Sequence, residues 1–306
     1  MERSDVRSAR RRMAGQVRKT PVFHTSVASP SGPVPVTMKL EYLQHGGTFK
    51  VRGIFNALLE SGEGTDQVVI ASGGNAGIAA ALVAARLGKS CTVVVPETAP
   101  HTKVAAMWSH GAEVLWYGAT YAEALRHAVE FAAERGALRL HGHDMAAVVA
   151  GAGVVGLELE EQVRGRPSVL AAVGGGGLVA GMAAALGRRQ QVIGVEPEGS
   201  PTLQAALDAN RPVDVRGRRL VTDSLGATRI SDIALDIARR YGVRSLLVTD
   251  DAIVAAQEYL WREFRILVEL TGAAALAAIQ SGAYVPEPDE RPVVVLCGAN
   301  TDVAVL

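Results

Sequence analysis

An α/β fold built on doubly wound parallel sheets is what the sequence predicts, and three observations predict it. Short, continuous apolar runs rich in β-branched residues recur along the chain. They alternate with Ala-rich stretches of helical spacing. Three turns of the kind that end such strands are rich in Gly or Asn: Ala71-Ser72-Gly73-Gly74-Asn75, Gly174-Gly175-Gly176-Gly177 and Cys297-Gly298-Ala299-Asn300.

In chain order, residues 68–70 read as a strand and 76–87 as the helix that follows. The pairing repeats at 91–95 and 102–110, at 113–116 and 121–135, and at 169–173 and 178–186. Residues 192–195 and 293–296 are further apolar runs. A run that is apolar at every position belongs to a strand covered on both faces, hence to a parallel sheet flanked by helices. Regular alternation of strand and helix gives the doubly wound arrangement. Residues 208–219 and 284–292 read as exposed loops. A chain of 306 residues is long enough for two lobes, each with its own core.

Hydrophobic residues make up 48% and charged residues 20%, the balance of a globular domain. With 31 basic and 31 acidic residues the formal charge is zero, which points away from nucleic acid and from anionic membrane as partners. Arg10, Arg11 and Arg12 read as a solvated helix face. Cys91 and Cys297 are the two cysteines, too few and too far apart for a disulfide framework or a zinc site. A reducing, cytoplasmic setting is expected. No apolar run is long enough to span a bilayer, and the charged N-terminus lacks the apolar stretch of a signal peptide. No regulatory domain is expected after Leu306.

The chemistry-bearing segments lie at the Gly-rich turns, where ligands bind in this architecture. Gly174, Gly175, Gly176 and Gly177 have no side chains to block close approach, and their N–H groups at a helix start suit a dianionic phosphate. No Gly-Lys-Ser/Thr follows, and the G-x-G-x-x-G register of dinucleotide folds is missing. Asn75 can donate and accept hydrogen bonds, although an Asn in a turn is common. Lys50 precedes a helical apolar pattern at Val51, Ile54, Phe55 and Leu58. A Lys at a helix start has its pKa lowered by the macrodipole, as a Schiff-base lysine requires; a solvated surface charge is the other reading of this residue alone. His141 and His143 form a His-x-His pair, read here as structural.

Taken together, these segments resemble the fold-type II pyridoxal 5′-phosphate (PLP) enzymes, in the threonine deaminase and serine racemase branch. Lys39-Leu40-Glu41-Tyr42-Leu43-Gln44 followed by Gly47-Thr48-Phe49-Lys50-Val51-Arg52-Gly53 resembles K-x-E-x-x-Q-x-x-G-S-F-K-x-R-G. Val95-Pro96-Glu97-Thr98-Ala99-Pro100, Gly111-Ala112-Glu113-Val114, Gly194-Val195-Glu196-Pro197 and Glu269-Leu270-Thr271-Gly272-Ala273-Ala274 are similar to family segments in the same order. The resemblance implies a larger domain of residues 1–51 and 146–306 and a smaller one of 52–145, with the cofactor between them. It implies that Lys50 carries PLP, that Phe49 packs on the ring and that Asn75 bonds the ring hydroxyl. Gly174, Gly175, Gly176, Gly177 and Leu178 would hold the phosphate. Cys297 stands where the family has a Ser facing the ring nitrogen, and Glu269 also falls in the cofactor site. Ser72, Gly73 and Asn75 would take the substrate carboxylate. The implied activity is deamination of a hydroxy amino acid such as L-threonine or L-serine to a 2-oxo acid and ammonia. Racemisation, or elimination or replacement on another hydroxy amino acid, is the alternative. A non-catalytic relative is disfavoured by the intact Lys50, and a homodimer is the family expectation.

Several positions depart from the family. Its S-x-G-N-H-A-Q becomes Ser72-Gly73-Gly74-Asn75-Ala76-Gly77-Ile78, without the His and Gln. Racemases of the branch carry a serine at the position of Gly73, so Gly73 favours elimination. The branch's metal site uses a Glu, a carbonyl and an Asp; Glu196 and Ser200 match, but Thr202 replaces the Asp, and no metal is expected. Residues 140–151 resemble a strand and a loop back to the larger lobe. Ala150-Gly151-Ala152-Gly153-Val154 replaces A-G-Q-G-T, and the segment 223–227 differs from A-D-G-x-A.

Overall fold

The computed structural model describes residues 1–62, 64, 66–215 and 227–302. The departure at 223–226 and part of the loop expected at 208–219 lie outside these residues. The chain opens with α1 (Arg3–Arg12), then an antiparallel pair, β1 (Val22–Val27) and β2 (Val34–Lys39), with Val22 opposite Lys39. Next come α2 (Lys50–Glu60), β3 (Gln67–Ala71), α3 (Asn75–Arg86), β4 (Ser90–Val95), α4 (His101–Ser109), β5 (Glu113–Trp116), α5 (Tyr121–Arg135) and β6 (Leu138–Leu140). The second half runs α6 (Ala146–Gln162), β7 (Val169–Ala172), α7 (Gly177–Leu186), β8 (Val192–Pro197), α8 (Thr202–Ala209), α9 (Asp232–Tyr241), β9 (Arg244–Val248), α10 (Asp250–Phe264), α11 (Leu270–Gln280) and β10 (Val293–Val295).

Two sheets result. The smaller has the order β5-β4-β3-β6 and is parallel throughout. The larger has the order β1-β2-β10-β7-β8-β9, parallel except at the β1–β2 edge. The continuous apolar runs are the buried central strands: Val68, Val69, Ile70, Val293, Val294 and Val295 are all fully buried. The Ala-rich helices follow from packing distance. α6 crosses α7 where a Cβ on Gly153 would lie 2.5 Å from the Gly181 carbonyl oxygen, and one on Gly181 2.4 Å from the Val149 carbonyl oxygen. Two backbones can approach so closely only without side chains.

One expectation is corrected. Residues 140–151 are not only strand and loop: β6 ends at Leu140 and α6 begins at Ala146. The run from Ala146 to Leu159 is apolar around the whole helix apart from Glu158, so it carries no amphipathic stripe to announce a helix. The apparent loop is only the turn 141–145. The expected loop at 208 likewise starts two residues later, after α8 has ended at Ala209.

Candidate functional site

Lys50 is the first residue of α2, and the turn before it is fastened to the segment after β10. Phe49 N–H donates to the Cys297 carbonyl at 3.1 Å, and Ala299 N–H donates to the Gly47 carbonyl at 2.9 Å. Thr48 pairs with Gly298 in an isolated bridge. Beneath this turn lies a buried charge cluster. Arg52 donates to both Glu41 carboxylate oxygens at 2.8 Å and to both Glu158 oxygens at 2.7 and 3.0 Å. Lys39 donates to Glu158 at 2.5 Å, and Thr20 bonds Glu41. Two cations and two anions balance, and the Arg52 charge holds the Glu41 carboxyl below its usual range although burial pushes it up. Arg52 follows Lys50 by two residues on α2, so this lock fixes where Lys50 emerges.

The Lys50 ammonium donates to the Gly142 carbonyl at 2.7 Å and lies 5.1 Å from the centre of the Phe49 ring. Burial lowers its pKa to about 8, against an opposing pull from Glu269. Cys297 is 2% exposed, and burial pushes its thiol far up, so it stays protonated. Its Sγ lies 3.6 Å from the Thr271 carbonyl.

Asn75 opens α3, and its side chain spans the two lobes. Its amide nitrogen bonds Glu269, and its oxygen accepts from Asn300 at 2.9 Å. Asn300 also donates to the Gly46 carbonyl at 2.9 Å. Buried Lys103 from α4 reaches the other Glu269 oxygen at 3.5 Å. Ser72 Oγ accepts the Gly74 N–H at 3.2 Å and shapes the turn into α3. That helix has no side-chain N-cap, which leaves its first N–H groups without a side-chain acceptor. A Cβ on Gly73 would lie 2.9 Å from the Ala99 methyl, so this turn abuts the start of α4 with no space for a side chain.

The glycine turn follows β7. Gly176 has φ +85° and is the N-cap of α7, again without a side-chain cap; a Cβ there would lie 2.7 Å from Ala234 and 2.8 Å from Ile230. Thr202 Oγ lies 2.7 Å from the Gly174 carbonyl and 3.0 Å from Glu196 Oε1. The Glu196 carboxylate, which the resemblance offered as a metal ligand, accepts from the N–H groups of Leu203 and Gln204 and from the Ser245 hydroxyl, at 2.8–2.9 Å. It caps α8. Among the described residues no group of three His, Cys, Asp or Glu side chains could hold a metal. A surface cavity of about 580 Å³, lined in part by His24, Thr37, Arg164, Arg166 and Arg291, lies at the N-terminal ends of β7 and β10, away from the glycine turn.

The structure thus brings Phe49, Lys50, Asn75, Glu269 and Cys297 into one contact network and sets the glycine turn beside residues 142–143. The residues present suit a phosphorylated pyridine aldehyde. A buried hydroxyl, Thr271 Oγ, has no partner among the described residues and lies in the residue that Cys297 touches, and an unmet polar atom there calls for a ligand. The uncapped α7 N-terminus meets the needs of a phosphate. Sequence reasoning assigned no role to Glu158, Lys103, Thr271, Asn300 or the site side of His143. Glu158, a single carboxylate deep in an apolar run, was the one with a readable signal, since such a charge is buried only when paired.

Comparison with known proteins agrees. A family profile described as "Pyridoxal-phosphate dependent enzyme" matches residues 13–298. The chain is 34% identical over 308 residues to phenylserine dehydratase of Ralstonia pickettii, covering 98% of this chain and 94% of that protein. It is 30% identical over 304 residues to L-threonine ammonia-lyase of Thermotoga maritima, covering 98% and 75%. The solved structure of maize serine racemase superposes with a TM-score of 0.91 at 27% identity, covering 99% and 95%.

Proposed function

The chain belongs to the pyridoxal-phosphate-dependent enzymes, and we propose that within that family it is a lyase that removes water and ammonia from a β-hydroxy amino acid such as L-threonine or L-serine. When bound, the cofactor supplies an electron sink for negative charge at the substrate Cα. Lys50 holds the cofactor and takes the Cα proton; a pKa near 8 leaves part of it neutral at physiological pH. The N–H groups at the start of α3, with Ser72 and Asn75, receive the substrate carboxylate. Gly174, Gly175, Gly176, Gly177 and Leu178 receive the cofactor's phosphate. Cys297 would offer the ring nitrogen a neutral thiol in place of a carboxylate, a setting that would suit elimination. Glu269 orients Asn75.

The observation that carries elimination over racemisation is Gly73. It has no proton to deliver to the face of Cα opposite Lys50, and its contact with Ala99 leaves no space for a side chain that could. A positioned acid contributes about 10²–10⁴-fold, so its absence suppresses racemisation. The test is a panel of hydroxy amino acids, including β-phenylserine because of the Ralstonia relative, assayed for 2-oxo acid beside chiral chromatography. The expected result is 2-oxo acid and ammonia with little D-isomer. D-isomer formed faster than 2-oxo acid would replace the lyase reading with a racemase one. Domains divided at 51/52 and 145/146, a cytoplasmic location and a homodimer complete the proposal; light scattering tests the last.

A further inference from the structure

The pair His141–His143 follows β6 in the turn that receives the Lys50 ammonium, and its two members are not alike. The rings meet edge to face at 4.6 Å. His141 is satisfied: its Nδ1 accepts the Asp144 N–H at 2.9 Å, and its Nε2 lies 3.4 Å from the Tyr121 hydroxyl. His141 therefore shapes the turn. His143 has no hydrogen bond from its ring nitrogens to any described residue. Its ring lies along the glycine turn. A Cβ built on Gly175 would fall 2.1 Å from His143 Cδ2 and 2.4 Å from Nε2, and one on Gly177 would fall 3.3 Å from His143 Cβ. The neighbouring residue, Gly142, is the acceptor of the Lys50 ammonium at 2.7 Å. His143 thus sits between the lysine and the glycine turn.

We propose that His143 is a side-chain ligand of the cofactor's phosphate, adding an imidazole N–H to the backbone donors of the glycine turn. The inference rests on the reading that the turn holds that phosphate. Burial, with the Lys50 charge second, keeps the imidazole neutral in the free protein, so it offers one N–H donor in either tautomer. Two things separate this role from plain packing. The two ring nitrogens bond no described residue, and neither is a buried atom shut away without a partner, so at this half-buried position both stay open to a ligand. The glycine at 175 is also demanded by this ring, so turn and imidazole fit each other.

The test compares PLP with pyridoxal, which lacks the phosphate, in reconstituted wild-type, His143→Phe and His143→Gln proteins. Dissociation constants come from the visible absorption of the bound cofactor, and ³¹P spectra are taken of the PLP-loaded forms. His143→Phe should weaken PLP about tenfold or more, equivalent to ~1.4 kcal/mol, leave pyridoxal affinity within about twofold and move the bound ³¹P resonance. His143→Gln, which keeps an N–H donor, should recover part of the loss. Equal weakening of PLP and pyridoxal would show that His143 supports the fold, and unchanged PLP affinity with an unmoved resonance would show that it does not touch the phosphate; either result overturns the proposal. A wild-type protein that binds neither compound would defeat the cofactor reading itself, a failure distinct from both.

Discussion

Glu158→Gln should be among the most damaging single changes in this chain, although Glu158 lies outside the turns that carry the chemistry. Arg52, Lys39 and Glu41 are fully buried and Glu158 is 4% exposed. Removing the Glu158 charge leaves two buried cations facing Glu41 alone, which is 2.8 Å from Arg52 but 3.9 Å from Lys39. An uncompensated charge of this kind costs about 3–5 kcal/mol. The same reasoning makes a less obvious claim about the double variant Lys39→Met/Glu158→Met. Charge balance returns, Arg52 and Glu41 keep their two-pronged contact, and the remaining loss is Arg52 donors left without a carboxylate, about 1–3 kcal/mol. The double variant should therefore be more stable than Glu158→Gln. Urea unfolding followed by tryptophan fluorescence gives both values, and retention of the cofactor's visible band on dialysis reports whether the Lys50 turn has loosened. A double variant less stable than Glu158→Gln, or a loss below about 1 kcal/mol for the single change, would refute the account of the cluster as a balanced ionic lock.

The other expectations are simpler. Lys50→Ala should lose both the visible cofactor band and activity. Because burial lowers the Lys50 pKa from 10.5 to about 8, the unfolded chain binds more protons between those values and cofactor-free stability should rise with pH across that window. Cofactor-free Lys50→Met should accordingly exceed wild type at pH 7 by at most about 3 kcal/mol, and a gap that does not narrow above pH 8 would contradict the burial argument. EDTA should change activity less than about twofold, since α8 and Ser245 already occupy the Glu196 carboxylate; loss on chelation that magnesium restores would contradict this. Cys297→Ser should hold kcat within about tenfold, ~1.4 kcal/mol, whereas Cys297→Asp should protonate the ring nitrogen and slow elimination, and equal turnover in the two would remove Cys297 from that position.

The central strands were legible because burial on both faces leaves an unbroken apolar run, as at 68–70, 169–173 and 293–296. The edge pair was not. β1 is exposed or partly buried at every position before Val27, and Pro35 interrupts β2, so neither shows a continuous run. β9 opens with two polar residues, exposed Arg244 and partly buried Ser245, and shows no continuous run either. At the site, Lys50 and the glycine turn could be read because their chemistry is local in sequence. The contacts that set the site's shape are not local: Asn75 with Glu269, Lys103 with Glu269, Arg52 with Glu158, and His143 against Gly175. Each joins residues from distant elements, and no spacing rule brings them together.

The helix starts differ in how their first N–H groups are met. α5, α9 and α10 begin with Thr120, Ser231 and Thr249, and each hydroxyl accepts a first-turn N–H. α2, α3, α7 and α11 begin after Phe49, Gly74, Gly176 and Glu269, and none has a side-chain cap, nor do α4 and α6. A missing cap costs about 0.5–2 kcal/mol, so four together are a substantial omission for a marginally stable protein. The first four of these begin at Lys50, Asn75, the glycine turn and Glu269. The backbone and side-chain contacts among residues 49, 75, 269 and 297–300 tie three of these starts together, and the Lys50–Gly142 bond brings the fourth alongside. Free N–H groups and positive helix ends gathered in one place favour anions. In the proposed function a phosphorylated cofactor and an amino-acid carboxylate would supply two, at α7 and α3, where a Ser or Thr cap would compete for the same N–H groups. Binding there would complete helices that the chain leaves open, so cofactor and substrate should both raise the stability of the lobes they join.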